Sequence, residues 1–312
     1  MSGYLEHGQW HDGWYDTRPS QGEFVRTTSA FRHWITADPA NPFQPEAGRY
    51  HLYVSLACPW AHRTLIARSL KGLQDLVSVS VVEPVMTKGW CFSTVLPDHL
   101  HGFQYLYEVY RAADPDYSGR VLVPVLWDEQ TRTIVSNESS EIIRMFNSAF
   151  AGLATGEVDL YPAPLRAEID RVNAFVYDNI NNGVYRCGFA TSQEAYERAV
   201  QKLFSALDWV EELLGRQPYL VGEQPTEADW RLFTTLARFD AVYVGHFKCN
   251  RNRLEDFPNI SRYLRRLYLV PGIAATVDID HIKRHYYMSH PHINPTRIVP
   301  VGPQLKFCAP VQ

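Results

Sequence analysis

Nowhere does the sequence run to the eighteen or so consecutive apolar residues that a membrane-spanning helix requires. Its N-terminal stretch is polar, with His7, Asp12 and Asp16 where a secretory signal would place an apolar segment. No membrane partner is therefore expected, and the expected location is cytoplasmic. The sequence also lacks a field of one charge sign. Its 30 basic and 34 acidic residues are interspersed and leave a net charge of -4, which sets aside nucleic acid as a partner. Cysteine is scarce: Cys58, Cys91, Cys187, Cys249 and Cys308 are odd in number and widely spread, which fits reduced thiols better than a disulfide framework.

Aromatic residues are plentiful, with 18 Tyr, 15 Phe and 8 Trp among 312 residues. Most belong in the core that a chain 46% hydrophobic can bury, and the supply also suits an aromatic-lined ligand pocket. The length suggests two domains.

The stretch Ala57-Cys58-Pro59-Trp60-Ala61-His62-Arg63 joins two patterns. Before it, Tyr50, Leu52 and Val54 alternate with Arg49, His51, Tyr53 and Ser55; after it, Leu65, Ile66 and Leu70 follow a helical period and Lys71-Gly72 supplies a stop. A strand, a tight turn and a helix are predicted, with proline at the first helical position. Cys58 then sits at the helix N-terminus, where unpaired N–H groups and the positive end of the dipole favour the nucleophilic thiolate. His62 and Arg63 are expected to add positive potential one turn on. Position 61 is alanine, so no second cysteine can resolve a mixed disulfide from within the motif, and monothiol chemistry with an external thiol is expected. The competing reading is a buried structural cysteine that happens to precede a helix.

Residues 1–48 read as an extended arm packing Trp10, Trp14, Phe24 and Trp34 on folded domains. From 49 to 150 strands and helices alternate. Residues 77–82 make a second strand ended by Pro84, and about 35 residues with little regular pattern follow, containing Trp90 and a Tyr-rich stretch from 105 to 110. Residues 121–127 and 133–136 predict a hairpin, followed by a helix through Ile142, Ile143 and Phe146. Pro124 interrupts the first of these strands, which argues for a sheet edge or for a cis bond that leaves the backbone of Val123 open to an extended peptide. Glu138 and Ser139 open the next helix, either as ordinary caps or as the seat of a ligand bearing both charges. From 160 to 312 the pattern is helical. Asn181-Asn182-Gly183 is expected to break one helix, and capping boxes at 191–194 and 226–229 open two others. His281 and His285 have the spacing of a metal pair but lack a third ligand, so a solvated helix face is expected and no metal.

Cys-Pro at the first helix, Val-Pro in the third strand, Glu-Ser at the next helix and an all-helical second half resemble a cytosolic glutathione transferase. Cys-Pro-Trp-Ala-His-Arg, Val-Pro-Val-Leu-Trp-Asp, Ser-Asn-Glu-Ser, Asn-Asn-Gly-Val-Tyr-Arg-Cys-Gly-Phe-Ala and His-Tyr-Tyr-Met-Ser-His narrow the resemblance to the glutathionyl-hydroquinone reductases, the Xi class of that superfamily. The resemblance runs from about residue 31 to the end. It implies a thioredoxin-like N-terminal domain of βαβ-ββα order, an all-α C-terminal domain carrying an aromatic substrate pocket, and a homodimer. It also implies Cys58 as nucleophile and glutathione as co-substrate, held by Trp90, Arg120 (pairing with a carboxylate), the backbone of Val123, Glu138 and Ser139. Tyr185 and Tyr286, with Tyr287, match tyrosines that face a hydroquinone, the first two as candidate catalytic groups. Without the resemblance these tyrosines read equally well as core residues. Two other functions remain open at this point. An omega-like thiol transferase or dehydroascorbate reductase would share Cys58 and Glu-Ser but not the tyrosines, and a non-catalytic quinone-binding protein would not depend on Cys58.

Overall fold

The computed structural model describes residues 3–309, and they divide into two compact units. One comprises residues up to 14, 27–158 and 280–291; the other comprises 15–26, 159–279 and 292 onward. The arm is thus shared between the units rather than standing apart, and a late helical segment groups with the sheet-bearing unit.

The first unit opens with a hairpin that the sequence reading missed, β1 (Gly3–Glu6) and β2 (Gln9–Asp12). Its turn places both His7 (φ 47°) and Gly8 (φ 70°) in the left-handed region, and a Cβ at position 8 would lie 2.0 Å from the Pro115 carbonyl oxygen. The four-stranded sheet comes from β3 (Tyr50–Val54), β4 (Val77–Val81), β6 (Val125–Asp128) and β7 (Thr133–Ser136), in the order β4-β3-β6-β7. β3 and β4 are parallel, whereas β6 runs antiparallel to both β3 and β7. A two-residue strand, β5 (Gly119–Arg120), pairs instead with β1.

Every residue of β3 is buried, as is Arg49 just before it, so the polar side chains His51 and Arg49 are taken out of water. Each has a partner, as burial of polar groups requires. The His51 ring nitrogens lie 2.6 Å from Ser78 Oγ and 2.9 Å from Ser80 Oγ across the parallel pair, and the Arg49 guanidinium meets both Asp128 oxygens at 2.7 Å. Helix α1 (Pro59–Leu70) leaves β3 and packs against α3 (Ser139–Ser148). Between β4 and β5 lies α2 (Leu106–Ala113), in the stretch read as irregular; the Glu108 carboxylate reaches back to the N–H groups of Gln104 and Tyr105 at 3.0 and 2.8 Å and fixes its start.

The second unit is helical: α4 (Arg166–Val176), α5 (Gly183–Gly188), α6 (Gln193–Leu214), α7 (Glu227–Arg238) and α8 (Pro258–Tyr268). Asn181-Asn182-Gly183 does not end a helix in coil. Residues 177–181 form a widened π-type turn that carries α4 almost directly into α5, because Asn181 Nδ2 donates to the Arg231 carbonyl and to Thr235 Oγ1. A second widened turn, 239–243, follows α7. All of α7 is buried. Its Asp229 accepts the N–H groups of Leu220 and Thr226 and the Tyr263 hydroxyl, each at 2.8 Å, and burial pushes this carboxyl up to about 6.

Helix α9 (Ile279–Ser289) is the late segment grouped with the first unit. No helix among the described residues is long and apolar enough to cross a membrane.

Candidate functional site

In the first unit Cys58 is the N-cap of α1, with extended backbone (φ -77°, ψ 119°) and Pro59 at the first helical position. Its carbonyl accepts the His62 N–H at 3.0 Å, and no acidic side chain occupies the first turn to oppose a negative sulfur. The half-buried thiol points at the Val123 carbonyl oxygen, 3.5 Å away. The Val123-Pro124 bond is cis, and the β3–β6 ladder begins only at Val125. β6 is therefore a central strand, with Val123 and Pro124 just before it outside the ladder, and the edge-strand alternative does not hold.

Glu138 caps α3. Its Oε1 accepts the Ser140 N–H at 3.1 Å and the Ser140 hydroxyl at 2.8 Å, and its Oε2 accepts the Ser29 hydroxyl at 3.1 Å. Burial alone would raise this carboxyl, but the Ser140 bonds, the nearby Arg63 charge and the Ser29 bond hold it below the ordinary glutamate value. Arg63 is almost fully buried, sits 4.5 Å over the Trp60 ring, and places NH1 3.5 Å from Ser139 Oγ. Its positive charge is thus directed at the Glu138-Ser139 end of the site.

Trp90 lies in the connection between β4 and α2. Its carbonyl accepts the Leu106 N–H, and its buried ring stacks on His285 of α9 at 4.7 Å with planes 21° apart. His285 Nδ1 lies 2.9 Å from the Pro84 carbonyl, Ser289 Oγ receives the Met86 N–H, and His281 Nε2 lies 3.5 Å from Ser55 Oγ. The solvated face expected for His281 and His285 is therefore incorrect: both are buried and fasten α9 to this unit. Among the described residues no group of three or more His, Cys, Asp or Glu could hold a metal ion. Tyr286 and Tyr287 are buried on the same helix, with the Tyr286 ring edge-on to His285 and His290.

Arg120 lies in β5, against the N-terminal hairpin. Its NH1 donates to the carbonyls of Gly3 and Gly13, at 3.3 and 2.8 Å, and its NH2 to that of Trp14 at 2.8 Å. These main-chain contacts tie Arg120 to the N-terminal hairpin and the two residues after it.

Tyr185 belongs to the second unit, on α5, just after the first widened turn. It is buried among Phe24, Phe189, Phe247 and Tyr243, with ring centroids 5.5 to 6.4 Å away. Tyr243, at the end of the second widened turn, is a phenol that sequence reasoning passed over. Its spacing to Phe239 and Phe247 reads as a buried helix face, and only the fold brings it to Tyr185. Arg26 was passed over too: its guanidinium lies 5.4 Å over the Tyr185 ring.

The glutathione S-transferase N-terminal domain family matches residues 57–149, and the corresponding C-terminal domain family matches residues 193–266. Over 96% of its length the chain is 56% identical to the glutathionyl-hydroquinone reductase YqjG of Escherichia coli, covering 95% of that protein. It is 55% identical to the glutathionyl-hydroquinone reductase PcpF of Sphingobium chlorophenolicum, with 96% of each chain covered. Among solved structures it is similar to the glutathione-bound E. coli YqjG (TM-score 0.90, 52% identity, 99% of this chain and 98% of that one). It is also similar to a Xi-class transferase of Natrialba magadii (TM-score 0.93, 50% identity, 99% and 96% covered). With a sheet-bearing unit that presents Cys58 at a helix N-terminus and a helical unit that follows it, this chain belongs to the glutathione S-transferase family, in its Xi class beside the glutathionyl-hydroquinone reductases.

Proposed function

We propose that the protein reduces glutathionyl-hydroquinones to hydroquinones at the expense of glutathione. The observation that carries this reading is Cys58 at the N-terminus of α1, with its sulfur against the Val123 backbone outside the ladder. A glutathione peptide bound in extended form would pair with the Val123 main chain, and its γ-glutamyl end would meet the start of α3. There Glu138 takes the ammonium, while Ser139 and the helix N-terminus take the carboxylate. Trp90, held flat by His285, would cover the peptide.

In the first step the Cys58 thiolate attacks the sulfur of the conjugate. The sulfur–carbon bond breaks, its electron pair stays on the ring carbon, and that carbon takes a proton from Tyr185 or Tyr286. A Cys58–glutathione mixed disulfide and a free hydroquinone result. In the second step a glutathione thiolate attacks the mixed disulfide and leaves as glutathione disulfide, returning the Cys58 thiolate. The proton lost by that glutathione restores the tyrosine. Alanine at position 61 leaves no internal thiol to compete.

The test is release of free hydroquinone from glutathionyl-menadiol with glutathione in excess, comparing the wild type with Cys58→Ala. Release by the wild type alone is expected. Release by neither, with turnover of a small mixed disulfide by the wild type, would make the protein a thiol transferase. The proposed assembly is a homodimer and the proposed location the cytoplasm; a monomer mass by light scattering at micromolar concentration would contradict the first.

A further inference from the structure

Arg26 lies in the portion of the arm that groups with the helical unit, and it makes two contacts with the segment bearing Tyr185. Its guanidinium carbon stands 5.4 Å over the Tyr185 ring, and its Nε donates to Asn182 Oδ1 at 3.2 Å, three positions before the tyrosine. Neighbouring arm residues fix the approach. Phe24 packs edge-on to Tyr15 and Phe189, the Gly22 carbonyl accepts the Thr191 N–H, and Glu23 pairs with Arg198. Arg26 is half-buried, and it brings a positive charge against a ring whose other neighbours, Phe189 and Phe247, are apolar.

From this we infer that Arg26 is a positioning residue for the reduction, acting through Tyr185. This rests on the reading above with Tyr185, the first of the two donors named there, giving its proton to the ring carbon as the sulfur–carbon bond breaks. When the proton leaves, the phenol becomes a phenolate inside an apolar cluster. A cation over the ring stabilises that negative charge, and the bond to Asn182 holds the cation there. The proton comes back from the second glutathione, so Arg26 changes no stoichiometry and touches no substrate atom.

The experiment is a double-mutant cycle on the intact protein, using Arg26→Met, Tyr185→Phe and the pair. Two rates are measured for each: hydroquinone release from glutathionyl-menadiol, and turnover of the glutathione mixed disulfide of 2-mercaptoethanol, which needs Cys58 but no proton on carbon. The ratio of the first rate to the second is expected to fall about tenfold in Arg26→Met and to recover largely in Arg26→Lys, which keeps the charge. In the Tyr185→Phe background, Arg26→Met should lower the ratio hardly further. An unchanged ratio in Arg26→Met, an Arg26→Lys no better than Met, or an equal loss in both backgrounds overturns the inference while the Tyr185 reading stands. If Tyr185→Phe itself keeps the full ratio, the Tyr185 reading fails and the inference fails with it.

Discussion

The thiol region of the first unit and the aromatic cluster of the second are built from different materials. Around Cys58 the working groups are backbone features and helix ends: the start of α1, the Val123 carbonyl outside its ladder, and the Glu138-Ser139 start of α3. Around Tyr185 they are rings, Tyr243, Phe189, Phe247 and Phe24, gathered by widened helical turns and a piece of the arm. Helix ends bind charge through fixed dipoles, whereas a ring cluster offers shape, low polarity and a single proton-bearing oxygen on each tyrosine. Apart from Cys58 itself, changes in the first region should therefore act on glutathione binding, and changes in the second on the carbon–sulfur step.

The largest effect that would break this division is expected at Tyr185. Its change to Phe should slow hydroquinone release about 100-fold while leaving glutathione affinity unchanged by calorimetry. A loss of affinity instead would place the ring in the peptide site. Next comes Glu138→Ala, which removes the acceptor for Ser140 and Ser29; glutathione should bind about tenfold to a hundredfold more weakly, and the loss of the cap should cost about 1 kcal/mol of stability. Unaltered binding would restrict Glu138 to capping.

A smaller effect concerns the sheet itself. Burial lowers His51 from 6.5 to about 4, against a partial opposing pull from Asp98. Because the folded value is depressed, the stability His51 contributes is present above about pH 6.5 and is lost as pH falls toward 4. Going from pH 7 to pH 5 should cost about 2 kcal/mol through this residue, and a His51→Asn variant should show a shallower acid dependence of its unfolding midpoint. The smallest effect on ligand is expected at Arg120→Met: glutathione affinity unchanged, with residues 3–14 more open to proteolysis because three carbonyl contacts are lost. A marked drop in affinity would restore Arg120 to the peptide site.

What the sequence made legible follows the same division. Cys58-Pro59, Val123-Pro124 and Glu138-Ser139 are local signals, since a proline or a capping residue dictates backbone geometry within one or two positions. The β1–β2 hairpin escaped notice because its turn is His-Gly rather than the more usual Asn-Gly or Asp-Gly, and helix α2 because a tyrosine stands at its cap and Glu108 supplies the missing acceptor. The main-chain contacts of Arg120, the burial of His281 and His285, and the meeting of Tyr243 and Arg26 with Tyr185 all depend on residues far apart in sequence that the fold brings together. No periodicity within a window of the sequence reports such contacts.

The central claim is that Cys58 takes glutathione from the conjugate and holds it as a mixed disulfide. Mixing the wild-type protein with glutathionyl-menadiol in the absence of free glutathione should release one hydroquinone per protein chain and leave one glutathione adduct, which peptide mass mapping places on Cys58. Buried Cys91, Cys187 and Cys249 and the half-buried Cys308, whose thiol burial pushes up, should remain unmodified. Hydroquinone released without an adduct, or an adduct on any other cysteine, would contradict the account.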